Sequence, residues 1–362
     1  MSDDLVVEHD DADTDAEWDA FVARRPGDVL SQTTLWSALK RPTFSGHRVR
    51  LRRGAHLVGG AQLLVRSVGP MRIAYVPNGP LWAERDATLA ARLVTEMTVL
   101  ARSLGVNGLI VQPSEIWDDL DAELALHHFG RAPIDVATTS TIVVDLAPDL
   151  DELLAGLRSS RRRNIRRAER LGATFRVGDA GDLETFHRLH SATAARQGFT
   201  PLSLDYLRRQ WAVLGRRDLL KVFLVDLEGQ TVAGATATCF GDTVIYKLAG
   251  WDSSGDSAAA RPNDLLHWQI IEWAHENGFS HYDMGGFERV AASRMLAGEE
   301  MPEEFRSTPA QFKLGFGGTP VVRPLSSWAL SPRVLRFVQP MVPALAEGRG
   351  RLGRFVSGLR SG

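Results

Sequence analysis

Two stretches of this chain carry nearly the same pattern at nearly the same spacing. Leu57 to Leu64 reads Leu-Val-Gly-Gly-Ala-Gln-Leu-Leu, and Thr231 to Thr238, 174 residues later, reads Thr-Val-Ala-Gly-Ala-Thr-Ala-Thr. Further on, Ala101 to Pro113 is matched by Ala274 to Gly286 at an offset of 173, each a helix end followed by a Gly and an apolar run. One such match is cheap. Two landmarks in register across more than forty residues point to duplication, so the fold must be built from one unit used twice.

Each copy reads in the same order. A helical segment (Trp18 to Arg25; Leu183 to Gln197) precedes a strand (His47 to Arg53; Leu220 to Leu227) and a turn at Arg53-Gly54 or Glu228-Gly229. The echoed strand follows, then another (Met71 to Tyr75; Thr243 to Leu248). A long helix (Thr88 to Leu104; Asp264 to Asn277) shows its apolar period in Leu265, Trp268, Ile270 and Ile271. Gly105 and Gly278 stand where a helix C-cap glycine belongs, and a strand closes the unit. Helix, antiparallel strands, helix and strand is the plan of the N-acetyltransferase (GNAT) fold. The expected class is therefore α/β, with tandem duplicated GNAT-like domains at residues 1–145 and 146–322 and a basic tail at 323–362.

Composition narrows the chemistry. The chain has 362 residues, 44% hydrophobic and 24% charged, enough for two packed domains. Cys239 is the single cysteine, so no intramolecular disulfide forms, and its strand-like neighbours predict a buried inert thiol. No Cys/His set has metal-ligand spacing, and no metal is expected. The acidic start lacks a signal peptide's basic and apolar regions, and no run reaches a membrane span, so a cytoplasmic protein is expected. Net charge is only −2, yet residues 158–170 and 333–360 are Arg-rich, which suggests a docked anion rather than general nucleic-acid affinity. The loop between Gly250 and Leu265 lacks the Gly-x-Gly spacing that cradles a coenzyme A pyrophosphate, and it holds Asp252 and Asp256. No cofactor is expected.

Several motifs, weak singly, occur together in order: Gln32 with Trp36 and Lys40; Tyr75-Val-Pro-Asn-Gly-Pro80; the Arg run Arg161 to Arg167; Arg196-Gln-Gly-Phe199; Pro262-Asn-Asp-Leu-Leu-His-Trp268; Tyr282-Asp-Met-Gly-Gly286; and Phe312-Lys-Leu-Gly-Phe-Gly-Gly318. Over roughly residues 30–325 this set resembles the Fem family, whose members transfer amino acids from aminoacyl-tRNA to peptidoglycan precursors. Without a heptad run, it resembles the compact form lacking a coiled-coil arm. Where many relatives carry Asp-Pro at the end of a first-domain strand, this chain has Val111-Gln112-Pro113, which leaves the general base unassigned; Asp118 or Asp119 are substitutes.

The resemblance implies a precursor-binding first domain and a second domain facing the peptide and the tRNA end. It implies that Phe312 stacks on a tRNA 3′ base and that Lys313 neutralises a phosphate or the forming oxyanion. It implies that Lys40, beside Trp36, binds precursor phosphates; a solvated lysine at a helix C-terminus is the other reading. Arg161 falls among Leu154, Leu157, Ile165 and Ala168 on one helical face, so it needs a buried carboxylate or a ligand phosphate. Arg196 clamps a diphosphate or caps helix carbonyls. Asp283 orients a substrate amine or stabilises its turn, Tyr282 beside it contacts substrate, and Tyr246 and Trp251 line a peptide groove or fill core. The implied partners are aminoacyl-tRNA and a UDP- or lipid-linked muropeptide, with peripheral membrane contact through the tail. Three alternatives stand beside this: a small secondary-metabolite acceptor, an acyl-CoA N-acyltransferase, and a non-catalytic module binding RNA or membrane.

Overall fold

A computed structural model describes residues 5–305 and 308–331. The first unit runs β1 (Leu5–Asp10), α1 (Ala16–Ala23), α2 (Thr34–Lys40), β2 (Ser45–Arg53), β3 (His56–Val68), β4 (Met71–Pro77), β5 (Leu81–Trp82), α3 (Ala87–Ser103), β6 (Gly108–Gln112), α4 (Asp118–Leu126) and β7 (Gly130–Arg131). The second opens with β8 (Ser140–Asp145), α5 (Leu150–Gly156), α6 (Ser159–Arg170), β9 (Thr174–Gly178), α7 (Leu183–Gln197) and α8 (Leu204–Val213). It continues through β10 (Leu220–Leu227), β11 (Gln230–Phe240), β12 (Thr243–Trp251), α9 (Gly255–Ala260), α10 (Pro262–Glu276), β13 (His281–Gly286), α11 (Arg289–Leu296), α12 (Pro309–Leu314) and β14 (Thr319–Val322). A last strand, β15 (Ser327–Leu330), returns to the first sheet.

The repeat is visible in the pairing. The first sheet runs β1-β2-β3-β4-β6-β15-β7, with β5 beside β3; the second runs β14-β8-β13-β12-β11-β10-β9. Each has one parallel contact in the equivalent place, β4 with β6 and β12 with β13, while the other pairings are antiparallel. Such a parallel step needs a crossover, and α3 and α10 supply it. Gly105 and Gly278 end these crossover helices with φ of 66° and 78°, a region that costs glycine little.

The echoed glycine has a packing reason. In the first unit a Cβ on Gly60 would lie 2.7 Å from the Trp18 ring of α1 and 2.4 Å from the Val49 carbonyl. In the second, a Cβ on Gly234 would lie 3.2 Å from the Phe186 ring of α7 and 2.8 Å from a Leu224 methyl. In both units an aromatic, from α1 in one and α7 in the other, is let down onto the sheet where the side chain is missing. Gly60→Ala should therefore cost about 1–3 kcal/mol, because backbone must move, and Gly234→Ala less, because only side-chain ends must. Urea midpoints at unchanged slope would check the order.

In β10, Phe223 and Val225 join a core under α10 and α6, whereas Val222 and Leu224 join a separate cluster with Phe186 of α7 and Leu207 of α8. The sheet is thus covered on both faces. Cys239 is buried in β11, and burial pushes its thiol up to about 12.

Two sequence expectations need correction. Residues 140–145, assigned to the first domain, form β8, which pairs with β13 and β14; the division falls between Thr139 and Ser140, and residues 323–331 rejoin the first unit. The arginine-rich helix is broken from the leucine-rich turn before it, because Leu157 and Arg158 are extended (ψ 146° and 143°). The expected role of the basic tail concerns residues that lie almost wholly outside those described. Among the described residues no helix is long and apolar enough to cross a membrane.

Candidate functional site

The second unit gathers its chemistry around the last turn of α12. Sequence places Pro309 at the helix start under a Thr308 cap, and the helix runs only to Leu314. That turn carries Phe312 and Lys313. The Lys313 ammonium donates to the Gly286 carbonyl at 2.5 Å and lies 5.9 Å from the centre of the Tyr246 ring. Removal from water lowers its pKa to about 8, against the pull of the nearby Asp283 and Glu288 carboxylates. Tyr246 sits beside a bulge: Ala237 faces Tyr246 and Thr236 faces Leu248, so the register shifts by one residue at Lys247.

Asp283 is 2% exposed. It accepts from Gly285 N at 2.7 Å and from the Thr141 hydroxyl, so one of its roles is to hold the turn that presents Gly286 to Lys313. Gly285 has φ 73°, and a Cβ there would approach the Tyr246 carbonyl at 2.9 Å. Asp283 therefore reads as a fixed counter-charge rather than a group free to take a substrate amine.

Sequence reasoning gave no role to His267, which the structure puts at the centre. It is 4% exposed, its Nδ1 is 2.7 Å from the Tyr282 hydroxyl, and its ring is 4.9–5.3 Å from those of Tyr246, Phe312 and Phe316. Burial, then the charges of Lys313 and Arg161, lower its pKa to about 3, so the imidazole is neutral. Tyr282 is fully buried and its hydroxyl is held well above its ordinary pKa by burial. This corrects its expected contact with substrate: Tyr282 has no surface for one, and its hydroxyl meets the site at His267.

Arg161 turns inward as its helical position requires. Its Nη1 donates to Asp264 at 2.7 Å, and its guanidinium lies 4.7 Å above the Phe312 ring. Of the two expected partners, the buried carboxylate is the one observed. One face of Phe312 is thereby covered, and its ring also meets His267 and Phe316, each at 5.3 Å. Arg196 donates to the Trp251 carbonyl at 2.9 Å and sits 5.2 Å over that ring, capping a strand carbonyl.

In the first unit Lys40 and Trp36 are 6% and 7% exposed, with the ammonium 5.0 Å from the indole. That overturns the reading of Lys40 as a solvated helix-end lysine. Beneath them Gln32 donates to Pro77 O at 2.7 Å and accepts from Gln62 N at 2.7 Å, while Gly79 approaches its side chain so closely that a Cβ would clash at 2.7 Å. Gln112 is spent on structure: it accepts from Ala137 N at 2.6 Å and Ser326 Oγ at 2.8 Å.

The GNAT plan implies a coenzyme A pyrophosphate at the N-terminus of the crossover helix. The residues present do not fit it. Helix α10 opens on Pro262, which has no N–H, and Asp264 puts its own carboxylate in the first turn. In α3 the Asp86 carboxylate accepts from Thr88 N at 2.7 Å and Leu89 N at 3.4 Å. Both ends already carry an anion. Among the described residues no group of three or more His, Cys, Asp or Glu could hold a metal.

Residues 156–300 match the acetyltransferase (GNAT) domain family. The chain is 25% identical over 306 residues to the UDP-N-acetylmuramoylpentapeptide-lysine N(6)-alanyltransferase of Weissella viridescens, covering 80% of this chain and 89% of that protein. It is 25% identical over 228 residues to the lipid II:glycine glycyltransferase of Staphylococcus aureus, covering 59% of this chain and only 54% of that longer protein. Among solved structures, FemX superposes with a TM-score of 0.78 at 18% identity over 92% of this chain and all of that one. A tandem GNAT protein from the clavulanic acid pathway superposes at 0.54, with 14% identity over 90% and 98%. These superpositions speak for the doubled GNAT fold.

Proposed function

We propose that this chain, a relative of the Fem-type aminoacyltransferases, moves an amino acid from the ester of an aminoacyl-tRNA to an amine of a UDP- or lipid-linked muropeptide. The observation that carries the reading is a desolvated ammonium, Lys313, fixed beside aromatic rings in an acyltransferase-type fold whose helix ends hold carboxylates where a coenzyme would place phosphates. The donor ester is already activated. Attack by an amine forms the N–C bond and puts negative charge on the ester carbonyl oxygen; collapse breaks the C–O bond to the ribose, and the proton lost by the amine ends on the departing ribose oxygen. A fixed cation in a site of low polarity stabilises such an oxyanion far better than water does, and no covalent enzyme intermediate is required. Placement of amine and ester together supplies about 7–11 kcal/mol in favourable cases.

In this reading Phe312, which is partly exposed, stacks on the 3′-terminal base, with Arg161 packed against its ring. Lys40, beside Trp36, serves the phosphates of the precursor. Arg196, exposed in the second unit, supplies a charge for a substrate phosphate once its carbonyl contact is exchanged. A small amine outside the cell wall is the rival acceptor with the same donor.

The test is incubation with a panel of charged tRNAs and UDP-linked muropeptide, followed by mass detection. A product heavier by one aminoacyl residue, dependent on intact tRNA, is expected. No transfer from any charged tRNA, or acyl transfer from acetyl-CoA in its place, overturns the proposal; transfer to free amines but not to muropeptide moves the acceptor to a small metabolite.

A further inference from the structure

Helix α6 carries four arginines, Arg163, Arg166, Arg167 and Arg170, at spacings of three and four residues. At about 100° per residue they occupy one stripe, opposite the face that buries Ile165 and Ala168 in the core and turns Arg161 inward. All four are exposed. Arg170 Nε donates to the Arg166 carbonyl at 3.2 Å, and among the described residues none of the four meets a carboxylate. Glu169, the one acid of the helix, lies off the stripe. Like charges three and four residues apart repel along a helix. The helix dipole favours Arg167 and Arg170 in the last turn, but its reach ends before Arg163. On a chain whose net charge is only −2, such a stripe is a local concentration of cations.

The inner face of the same helix is fastened to the candidate site. Arg158 N donates to the Gly315 carbonyl at 2.9 Å, and the Arg161 guanidinium lies 4.7 Å over the Phe312 ring. The fit is close: a Cβ on Gly315 would lie 2.9 Å from Arg161 Nε. The stripe thus stands one helix diameter, about 10–12 Å, from the turn that carries Phe312 and Lys313. The unpaired 3′ end of a tRNA spans such a distance between its terminal base and its paired stem. Regularly spaced guanidinium groups suit a phosphate backbone, which they hold without reading sequence. An anionic membrane suits them less, because a helix lying in that surface turns an apolar face to the lipid. Here the apolar face is spent in the core, and only Leu171, beyond the helix end, is exposed. We propose that Arg163, Arg166, Arg167 and Arg170 form the surface on which the paired stem of the RNA donor lies. The surface rests on the donor proposed above and supplies what Phe312 cannot, a hold on the body of that RNA.

The full chain is titrated with uncharged tRNA at salt concentrations from about 50 to about 200 mM. Beside it stand the combined Arg163→Gln, Arg166→Gln, Arg167→Gln, Arg170→Gln variant and its counterpart with Lys at the same four positions. Each lost phosphate contact flattens the plot of log affinity against log salt by a little under one. The Gln variant should therefore bind more weakly, with a slope shallower by about three, and its gap to the parent should close about a hundredfold across that range. The Lys variant should keep the parent slope, since charge holds the backbone. Should the Gln variant not fold, Arg163→Gln and Arg167→Gln singly should each flatten the slope by about one. In transfer assays KM for charged tRNA should rise in the Gln variant while KM for the amine acceptor stays put. Equal tRNA affinity and slope in parent and Gln variant overturns the surface. So does a need for these arginines in binding phosphatidylglycerol vesicles but not tRNA. The two proposals fail separately. The expected loss of slope without transfer from any charged tRNA keeps the surface and overturns the transfer reaction, whereas transfer with an unchanged KM in the Gln variant overturns the surface alone.

Discussion

A Lys313→Ala variant should lose about 10²–10³-fold in kcat/KM for aminoacyl transfer, the cost of removing one preorganised donor to an oxyanion. The pH profile separates this from a packing defect. With the Lys313 pKa near 8, the ammonium is present at neutral pH and lost as pH rises through about 8, so transfer should fall on that limb. Lys313→Arg keeps a cation that does not titrate there, and its alkaline limb should move upward even if its maximum is lower. Stability should run the other way. A folded pKa below the ordinary lysine value means that the unfolded chain binds more protons between about 8 and 10.5, so native stability rises with pH across that window. Lys313→Met should therefore be more stable than the parent at about pH 7 while being the less active protein. A variant with full activity, or one whose lost activity simply tracks lost stability, would remove Lys313 from the chemistry.

What the sequence revealed and what it hid divide along physical lines. The duplication was legible because strands and crossover helices bury regular faces, and their periodicity survives where side-chain identity does not: α7, β10 and the glycine ends of α3 and α10 lie where pattern placed them. Arg161 could be placed inward because a helix fixes which neighbours a residue joins. Residues 140–145 were misassigned because a strand's sheet is chosen by partners far away, here β13 and β14, and adjacent sequence carries no trace of that choice. The break at Leu157 and Arg158 follows Gly156, the last residue of α5, and that glycine is the one mark of it in the sequence.

The site was legible in part for the same reason. Lys313 and Phe312 stood out by motif. His267 did not, since a histidine on the buried face of a helix reads like any core residue until Tyr282 is seen at its Nδ1. Lys40 and Trp36 were found together, but the burial of Lys40 was not foreseen, because it depends on what covers α2 rather than on α2 itself.

Arg161→Met should destabilise the protein by about 3–5 kcal/mol at neutral pH, toward the lower figure because the guanidinium is 18% exposed. The loss comes from Asp264, 3% exposed, whose carboxylate would be left buried with its chief counter-charge gone. Desolvation already holds the Asp264 pKa above its ordinary value even with Arg161 in place, and the variant should raise it further. A raised carboxyl pKa penalises the folded state above that pKa, and the penalty fades as pH falls through it and the group takes up a proton. The gap in urea midpoint between parent and variant should thus narrow steadily on acidification. Asp264→Asn added to Arg161→Met should recover much of the loss, since it removes the stranded charge and keeps the volume. A gap of constant size from neutral to acid pH would show that Arg161 contributes by packing on Phe312 alone. Activity gives the independent reading: in the double variant Phe312 has lost its stacked cation while the fold is restored, so if Arg161 braces the ring for a tRNA base, KM for the charged tRNA rises while KM for the amine acceptor stays put.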